Sequence, residues 1–358
     1  MEEIINSQKS TLGITEFLNS AKEYTKNAFP DFNIGETFTQ SIQGNINHNF
    51  IFSGVSKLFG QEIKVAIELM ISVLIIVIIH SIFKAITENL GNSSSGKVVY
   101  FIQYLIIVTV VIDTFVNILD LTKDAIKNLT DFMGLLIPLM TTLMLSTGNI
   151  ATTSIIQPIL IFSMQFIGNF LNSFLIPILL VSMTLSIISN ISDKVSIDRL
   201  SKFLKSSIVW ILGIILTIFT CTLSLEGTLS SSVDGLTSKT AKAAVSNFIP
   251  VVGKIMGDTV ETVIGCGNIL KNSVGVIGII IILGIVIVPM IKIIVLWISF
   301  QLTSTLCEAV ADGKIVKLIS QISDGYKILS AILFSVSVMF IIGITLVLKI
   351  TNSSLMYR

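Results

Sequence analysis

Long apolar runs separated by short polar stretches dominate the chain. Four of these runs have about the 20 residues that cross a hydrocarbon layer about 30 Å thick, and each is predicted to be a transmembrane helix. They are residues 65–83, 98–119, 206–225 and 329–348. A fifth run, 274–306, is longer than one span and contains Gly284 and Pro289 near its middle. We interpret it as two spans joined by a tight bend, with a single kinked and tilted helix as the alternative.

The middle of the chain is divided by the same reasoning. Residues 150–189 are predicted to form two spans that meet at Asn172 and Ser173, because this polar pair interrupts an otherwise apolar stretch. The division leaves residues 132–145 as a separate and short apolar piece.

Two pairs of prolines recur at one spacing. Pro138 and Pro177 are separated by as many residues as Pro250 and Pro289, and each follows Ile or Val. Matching proline-interrupted segments in two halves are where transporter sites usually lie. The four prolines are therefore candidates for a transport path or a repeat interface.

The resulting fold is an all-α polytopic membrane protein. We expect an amphipathic extracytoplasmic region at 1–62, two leading transmembrane helices at 63–120, and two parallel pseudo-repeats of about four helical elements each, at 121–230 and 231–358. This arrangement crosses the membrane ten times. If the short first element of each repeat is re-entrant instead, the count becomes eight and one half is inverted.

Two charged helices are predicted at the membrane surface, at 193–205 and 312–324, because apolar residues share one helical face in each. The faces consist of Ile197, Leu200 and Leu204 in the first helix and Ile315, Leu318, Ile319 and Ile322 in the second. Their lysines predict a cytoplasmic location, since Lys and Arg collect in cytoplasmic loops. Counting spans from there places the N-terminus outside. In the N-terminal region itself, Ile14, Phe17, Leu18 and Ala21 have helical spacing.

The composition agrees with a membrane protein and excludes several other classes. Charged residues make up 13% of the chain, against about 25% in a typical soluble domain. A net charge of +1 with two histidines argues against nucleic-acid binding and against a catalytic metal centre. We expect no enzyme activity, no cofactor and no metal. The three cysteines, Cys221, Cys266 and Cys307, are interpreted as small buried residues.

Ionisable residues within apolar runs are costly in lipid and often functional. Asp113 and Lys292 lie deepest and are predicted to line a polar cavity or to form a buried pair, with snorkelling to the interface as the alternative. Glu68 and Glu308 lie near predicted span ends and are expected to reach the interface, and His80 is the remaining ionisable residue of this kind.

The order of several segments resembles the stage III sporulation protein AE family of endospore-forming bacteria. The similarity covers nearly the whole chain: an amphipathic N-terminal region with residues 11–27 and 60–63, then residues 132–138 ending at Pro138, the block 246–250, Gly265-Cys266-Gly267, the Pro289 helix and the segment beginning at Asp312. These patterns carry no catalytic residues.

The resemblance implies a protein of the mother-cell membrane that faces the forespore, the outer forespore membrane, with its N-terminus in the intermembrane space. Its expected partners are the lipid bilayer, other membrane proteins of the sporulation channel complex and a forespore-side partner, and self-association to a homo-oligomer is left open. We expect a permease-like component of the channel or secretion apparatus that sporulation needs. A stand-alone secondary transporter of a small solute and a non-conducting scaffold remain the alternatives.

Overall fold

Helices account for nearly all of the chain that the structure describes. The structure is a computed structural model that describes residues 9, 11–26, 33–44, 49–89, 93–191, 197–248 and 252–356, and no strand occurs among them. The helices are α1 (Ile14–Thr25), α2 (Ile34–Gln43), α3 (Asn49–Asn89), α4 (Ser93–Ser146), α5 (Ile150–Phe170), α6 (Ile176–Ile191), α7 (Asp198–Phe248), α8 (Val252–Cys307) and α9 (Gly313–Met356). A π-helical segment, Leu171–Leu175, joins α5 to α6.

Six helical rods in the described residues are long and apolar enough to cross a membrane. They lie in α3, α4, α5 with α6, α7, α8 and α9. The candidate span of α8, Thr262–Cys307, has 46 residues. At 1.5 Å per residue it is about 70 Å long, more than twice the thickness of a hydrocarbon layer. Such a rod either tilts strongly or projects from the membrane.

Six candidate spans replace the ten or eight that the sequence predicted. The differences lie in α4, in the α5–α6 rod and in α8. Ile150–Asn190 is one candidate span, not the two that were predicted to meet at Asn172 and Ser173, because the π-helical segment continues α5 into α6. Residues 132–145 are no separate element, because α4 continues through the polar stretch before them as one helix. The predicted bend at Gly284 and Pro289 is wrong, and the structure shows the alternative of a single helix, since α8 is continuous there. Both residues are buried. Packing inside protein satisfies the backbone group that a proline frees, so the helix needs no break.

Two pairs of packed rods run antiparallel, as successive contacts show. Along α4 and the α5–α6 rod, the Tyr104 hydroxyl donates to the Ile187 carbonyl at 2.9 Å, and Thr130 lies against Gly168. Along α8 and α9, Gly278 lies beside Ile344 near one end, and the Ser304 hydroxyl donates to the Val316 carbonyl at the other. The Asn190 and Asp198 side chains both contact Gln321. The end of α6, the start of α7, the end of α8 and the start of α9 therefore lie at one end of the molecule, which we call the lysine-rich end.

The N-terminal helix packs on α4, as its apolar spacing predicted. The four predicted residues of α1 are buried, and Phe17 and Tyr24 contact the Phe132 ring with centroids 6.0 and 5.6 Å apart. Partial burial, together with the negative charges of Asp131 and Glu23, raises the pKa of the Tyr24 hydroxyl. The amphipathic region is thus attached to the end of the bundle opposite the lysine-rich end.

The apolar faces of the two predicted surface helices differ in burial. Ile315, Leu318, Ile319 and Ile322 are all buried, so the second face is confirmed, although it forms the first turns of α9 and not a separate helix. The first face is not buried, because Leu200 is 49% exposed. Residues 193–196 of that predicted helix lie outside the described residues.

Candidate functional site

A network of polar side chains joins α6, α7 and α9 at the lysine-rich end. Its hub is Gln321, which is 7% exposed. The Asn190 side-chain amide donates to Gln321 Oε1 at 2.6 Å, and Gln321 Nε2 donates to Asp198 Oδ1 at 2.8 Å. The Lys205 ammonium donates to the Gln321 backbone carbonyl at 3.1 Å. We call these four residues the Gln321 network.

Asp198 extends the Gln321 network through two ion pairs. Its Oδ2 atom lies 3.1 Å from the Lys202 ammonium and 3.3 Å from that of Lys317. Lys202 is one turn along α7, whereas Lys317 belongs to α9, so one carboxylate holds the first turns of two helices together. Both lysines are well exposed, and exposed pairs contribute about 0–1 kcal/mol each. The buried amide contacts are therefore the stronger part of the assembly.

A cavity of about 670 Å³ opens beside the network between α7, α8 and α9. Its lining is mostly polar and includes the residues Lys202, Gln301, Ser304, Glu308, Lys317 and Asp324. A cavity of this size lies within the range of small-molecule sites, about 300–1,000 Å³. Both charge signs are present, so the lining shows no single preference for anions or cations.

Three aromatic side chains lie next along the bundle from this cavity. Phe115 of α4 and Phe300 of α8 each place a ring centroid 5.4 Å from that of Tyr326 of α9. All three side chains are buried, with at most 3% exposed. This aromatic layer closes the interior of the bundle below the polar end.

The structure places Asp113 and Lys292 apart from each other. Asp113 is exposed on α4 and accepts a hydrogen bond from the Asn117 amide at 3.4 Å. Lys292 of α8 lies 3.5 Å from Glu62 of α3 and is 35% exposed. The predicted pair therefore does not form, and each residue has a different partner. Their assignment to a transport path stays a prediction.

The repeated prolines occupy unlike surroundings. Pro138 is exposed within α4, and its carbonyl accepts hydrogen bonds from the Thr141 and Thr142 hydroxyls, both at 2.9 Å. Pro177 is exposed in the first turn of α6, whereas Pro289 is buried within α8. Pro250 lies outside the described residues. The assignment of the four prolines to a transport path or a repeat interface stays a prediction.

The remaining predicted residues are accounted for as follows. Glu68 and Glu308 are exposed, and the His80 side chain lies outside the described residues. Cys266 and Cys307 are buried as expected, but Cys221 is exposed, because it lies on the outward face of α7. No group of three metal-binding side chains occurs among the described residues.

Sequence reasoning missed Lys271, the most deeply buried cation among the residues whose burial the structure describes. Lys271 of α8 is fully buried and donates a hydrogen bond to Asn268 Oδ1 at 3.1 Å. It was overlooked because the apolar run was counted only from residue 274. The signal lay in the spacing, since Asn268 and Lys271 are three residues apart on one helical face. The Gln321 network offered no such local signal.

These features together define an all-helical, multi-pass membrane protein with polar groups buried between its spans. The chain belongs to the Stage III sporulation protein AE family, whose pattern it matches over residues 32–351. It is similar to the Stage III sporulation protein AE of Bacillus subtilis (strain 168), with 27% identity over 352 residues that cover 98% of this chain and 82% of the relative. No solved structure matches it. Membership of the family supports a role in sporulation.

Proposed function

We propose that the chain is the membrane-embedded, permease-like component of a channel or secretion apparatus between mother cell and forespore. We place it in the outer forespore membrane, with its N-terminal region in the intermembrane space. Its partners would be other membrane proteins of the sporulation complex, including one on the forespore side. The relative's name specifies sporulation, and the similarity extends over 98% of this chain.

The buried Gln321 network is the observation that carries the proposal beyond sporulation. Polar and ionisable groups between membrane spans are costly, and they usually mark ion or substrate pathways. Asn190, Lys205 and Gln321 are each at most 9% exposed, and they connect three different spans. A protein that only anchored partners would not need polar groups there.

The two alternatives are each favoured by one observation. The cavity of about 670 Å³ favours a stand-alone transporter of a small solute, although the aromatic layer would have to open for transport. Apolar packing near Pro138 favours a scaffold, because the void lined by Leu136, Ile137 and Leu160 measures only about 10 Å³. Such a void scarcely holds one water molecule.

The experiment has a cellular and a purified part. In a sporulating host that lacks its own family member, the chain should restore heat-resistant spores, and a fluorescent fusion should lie in the membrane around the forespore. In vesicles, the purified full-length chain should pass small ions at a rate that rises linearly with concentration. Saturable passage of one solute would establish the transporter, and restored sporulation without any flux would establish the scaffold.

A further inference from the structure

One face of α4 carries a regular line of polar residues. Asp113, Asn117, Asp120, Asp124, Lys127 and Asp131 follow one another at alternating steps of four and three residues, so they share a single face. All six are exposed. From first to last they cover about 27 Å at 1.5 Å per residue, close to the thickness of a hydrocarbon layer. We call these six residues the polar stripe.

Contacts between the rods show the depth of the polar stripe. The Asn172 amide donates to the Lys123 carbonyl at 3.3 Å, which aligns the middle of the stripe with the π-helical segment. At the same depth the α5–α6 rod exposes Phe166, Phe174 and Val181 by 51%, 47% and 53%. One side of the molecule is therefore apolar where the other is charged.

The neighbouring span α7 extends this apolar surface. The Ser201 hydroxyl donates to the Ser182 carbonyl at 2.8 Å, so the first turns of α7 lie beside α6. From there α7 exposes Phe203 by 66% and Trp210 by 73%. Exposed aromatic and aliphatic residues at this depth are suited to contact with lipid tails. The polar stripe is not, because each charged side chain would cost a few kcal/mol there.

The described part of this chain does not cover the stripe. Helix α1 reaches α4 only at the Asp131 end, through Tyr24 and Phe132. Copies of one membrane protein share an orientation, so an assembly around an axis along the membrane normal places each residue at the same depth in every copy. Asp124 would then face Asp124, which disfavours dry contact and favours water between the copies.

The buried face of α4 gives an independent reason to expect an aqueous path between copies and not through one chain. Phe115 lies two residues from both Asp113 and Asn117 along the chain but points inward, into the aromatic layer. The interior of one chain is closed at this depth. At this depth the polar stripe on the outer face of α4 is therefore the surface that suits an aqueous path.

We propose that copies of this chain assemble with the polar stripe facing a shared water-filled lumen that favours cations. The stripe of each copy carries four carboxylates and Lys127, and Lys123 beside it pairs with Asp120 at 3.0 Å. Four negative charges against two positive ones leave the lumen negative. The inference rests on the proposed channel function and assigns its path.

The first experiment measures access of water to the stripe. In full-length protein with its native cysteines replaced by serine, single cysteines at Asn117 and Asp124 are compared with ones at Phe174 and Trp210. With a water-soluble, positively charged thiol reagent in vesicles, the stripe positions should react about tenfold faster or more, because the reaction needs a hydrated thiolate. Equal slow reaction at all four positions would overturn the proposal.

Two further measurements separate this inference from the proposed function. Modification of the Asp124→Cys variant should block ion flux, and cross-linking should yield oligomers of the chain alone. If ion flux persists after complete modification, the proposed channel function is still supported, but the stripe does not line the ion path. Stripe cysteines that react in a monomer would indicate a water-exposed docking face for another protein, which also overturns the proposal.

Selectivity is tested by charge reversal. The double variant Asp120→Lys with Asp124→Lys should lower the permeability ratio of K⁺ to Cl⁻ by about tenfold, since rings of charged side chains set ion selectivity. Glu36→Lys, on the exposed face of α2 outside the membrane, is the matched control and should leave the ratio unchanged. An unaltered ratio in the double variant contradicts a lumen lined by the stripe.

Discussion

At the scale of single residues, Gln321 contacts every other member of the Gln321 network. Its side chain donates to Asp198 and accepts from Asn190, while its backbone carbonyl accepts from Lys205. Only the first two contacts depend on the side chain. A substitution at Gln321 therefore separates the amide contacts from the lysine contact, which the backbone retains.

We expect Gln321→Leu to lower the free energy of unfolding by about 1–3 kcal/mol, because the buried Asn190 amide is left without a partner. Chemical denaturation in detergent would measure the loss. Ser320→Ala, at the adjacent and less buried position, serves as the control. The double variant with Asn190→Leu should lose less than the sum of the two single losses, since it removes both partners. Strictly additive losses would show that the two side chains are not coupled.

Residue-level prediction from sequence succeeded where periodicity was local. The buried face of α1 follows directly from its apolar spacing, and so does that of the first turns of α9. The Gln321 network could not be predicted in this way, because Asn190 and Gln321 are 131 residues apart in the chain. Nothing in the local sequence of either residue indicates which distant helix it meets.

At the scale of helices, close contact between α4 and α5 depends on Gly168. A Cβ atom added there would lie 3.2 Å from Thr130 Cβ and closer still to the Thr130 hydroxyl. That hydroxyl is held by a 2.8 Å hydrogen bond to the Ile126 carbonyl. The threonine cannot turn away without losing this bond.

Gly168→Ala should therefore destabilise the protein by about 1–3 kcal/mol through overpacking, even though alanine favours helix by about 1 kcal/mol over glycine. Gly213→Ala on α7 is the matched control. It has no atom within 4 Å of an added Cβ and should be neutral or slightly stabilising. Thermal denaturation in detergent compares the two. If Gly168→Ala is as stable as Gly213→Ala, the two helices do not need this close approach.

For whole helices, prediction and structure differ most at α4. The sequence predicts two separate elements, and the structure has one continuous helix. Eight of the twelve residues at 120–131 are polar, so hydropathy predicts a break between the span at 98–119 and the apolar piece at 132–145. The pattern was helical nonetheless, since Ile126 and Leu129 are buried while Asp124 and Lys127 are exposed. Hydropathy averaged over a window cannot distinguish a loop from a helix with one polar face.

At the scale of the whole molecule, the three topologies differ at two turns. With six spans and the lysine-rich end in the cytoplasm, as proposed, the turn after α4 would lie outside and the start of α9 inside. With ten spans, the turn after α4 would lie inside, and with eight, the turn between α6 and α7 would lie outside. Each scheme therefore makes a distinct set of positions accessible from outside the cell.

In a background without native cysteines, Ser146→Cys should be labelled by a membrane-impermeant thiol reagent in intact cells, and Ser320→Cys should not. Ser146 is exposed beside the turn after α4, so packing does not protect it. Permeabilised cells supply the control, since both positions should then react. Protection of Ser146→Cys in intact cells would restore the ten-span topology.

The π-helical segment Leu171–Leu175 contains one residue more than an α-helix would have over the same length. Ile176 donates its backbone N–H to the Leu171 carbonyl, one residue further back than in an α-helix. Pro177 follows at once and has no N–H to donate, so it stabilises the wider turn. A π-helical turn arises when one residue is inserted into an α-helix. Deletion of one residue can therefore restore the α-helix. Removal of Ser173 together with Pro177→Ala should yield an unbroken α-helix with both flanking faces still in register, whereas a one-residue deletion elsewhere in the rod would rotate one face by about 100°.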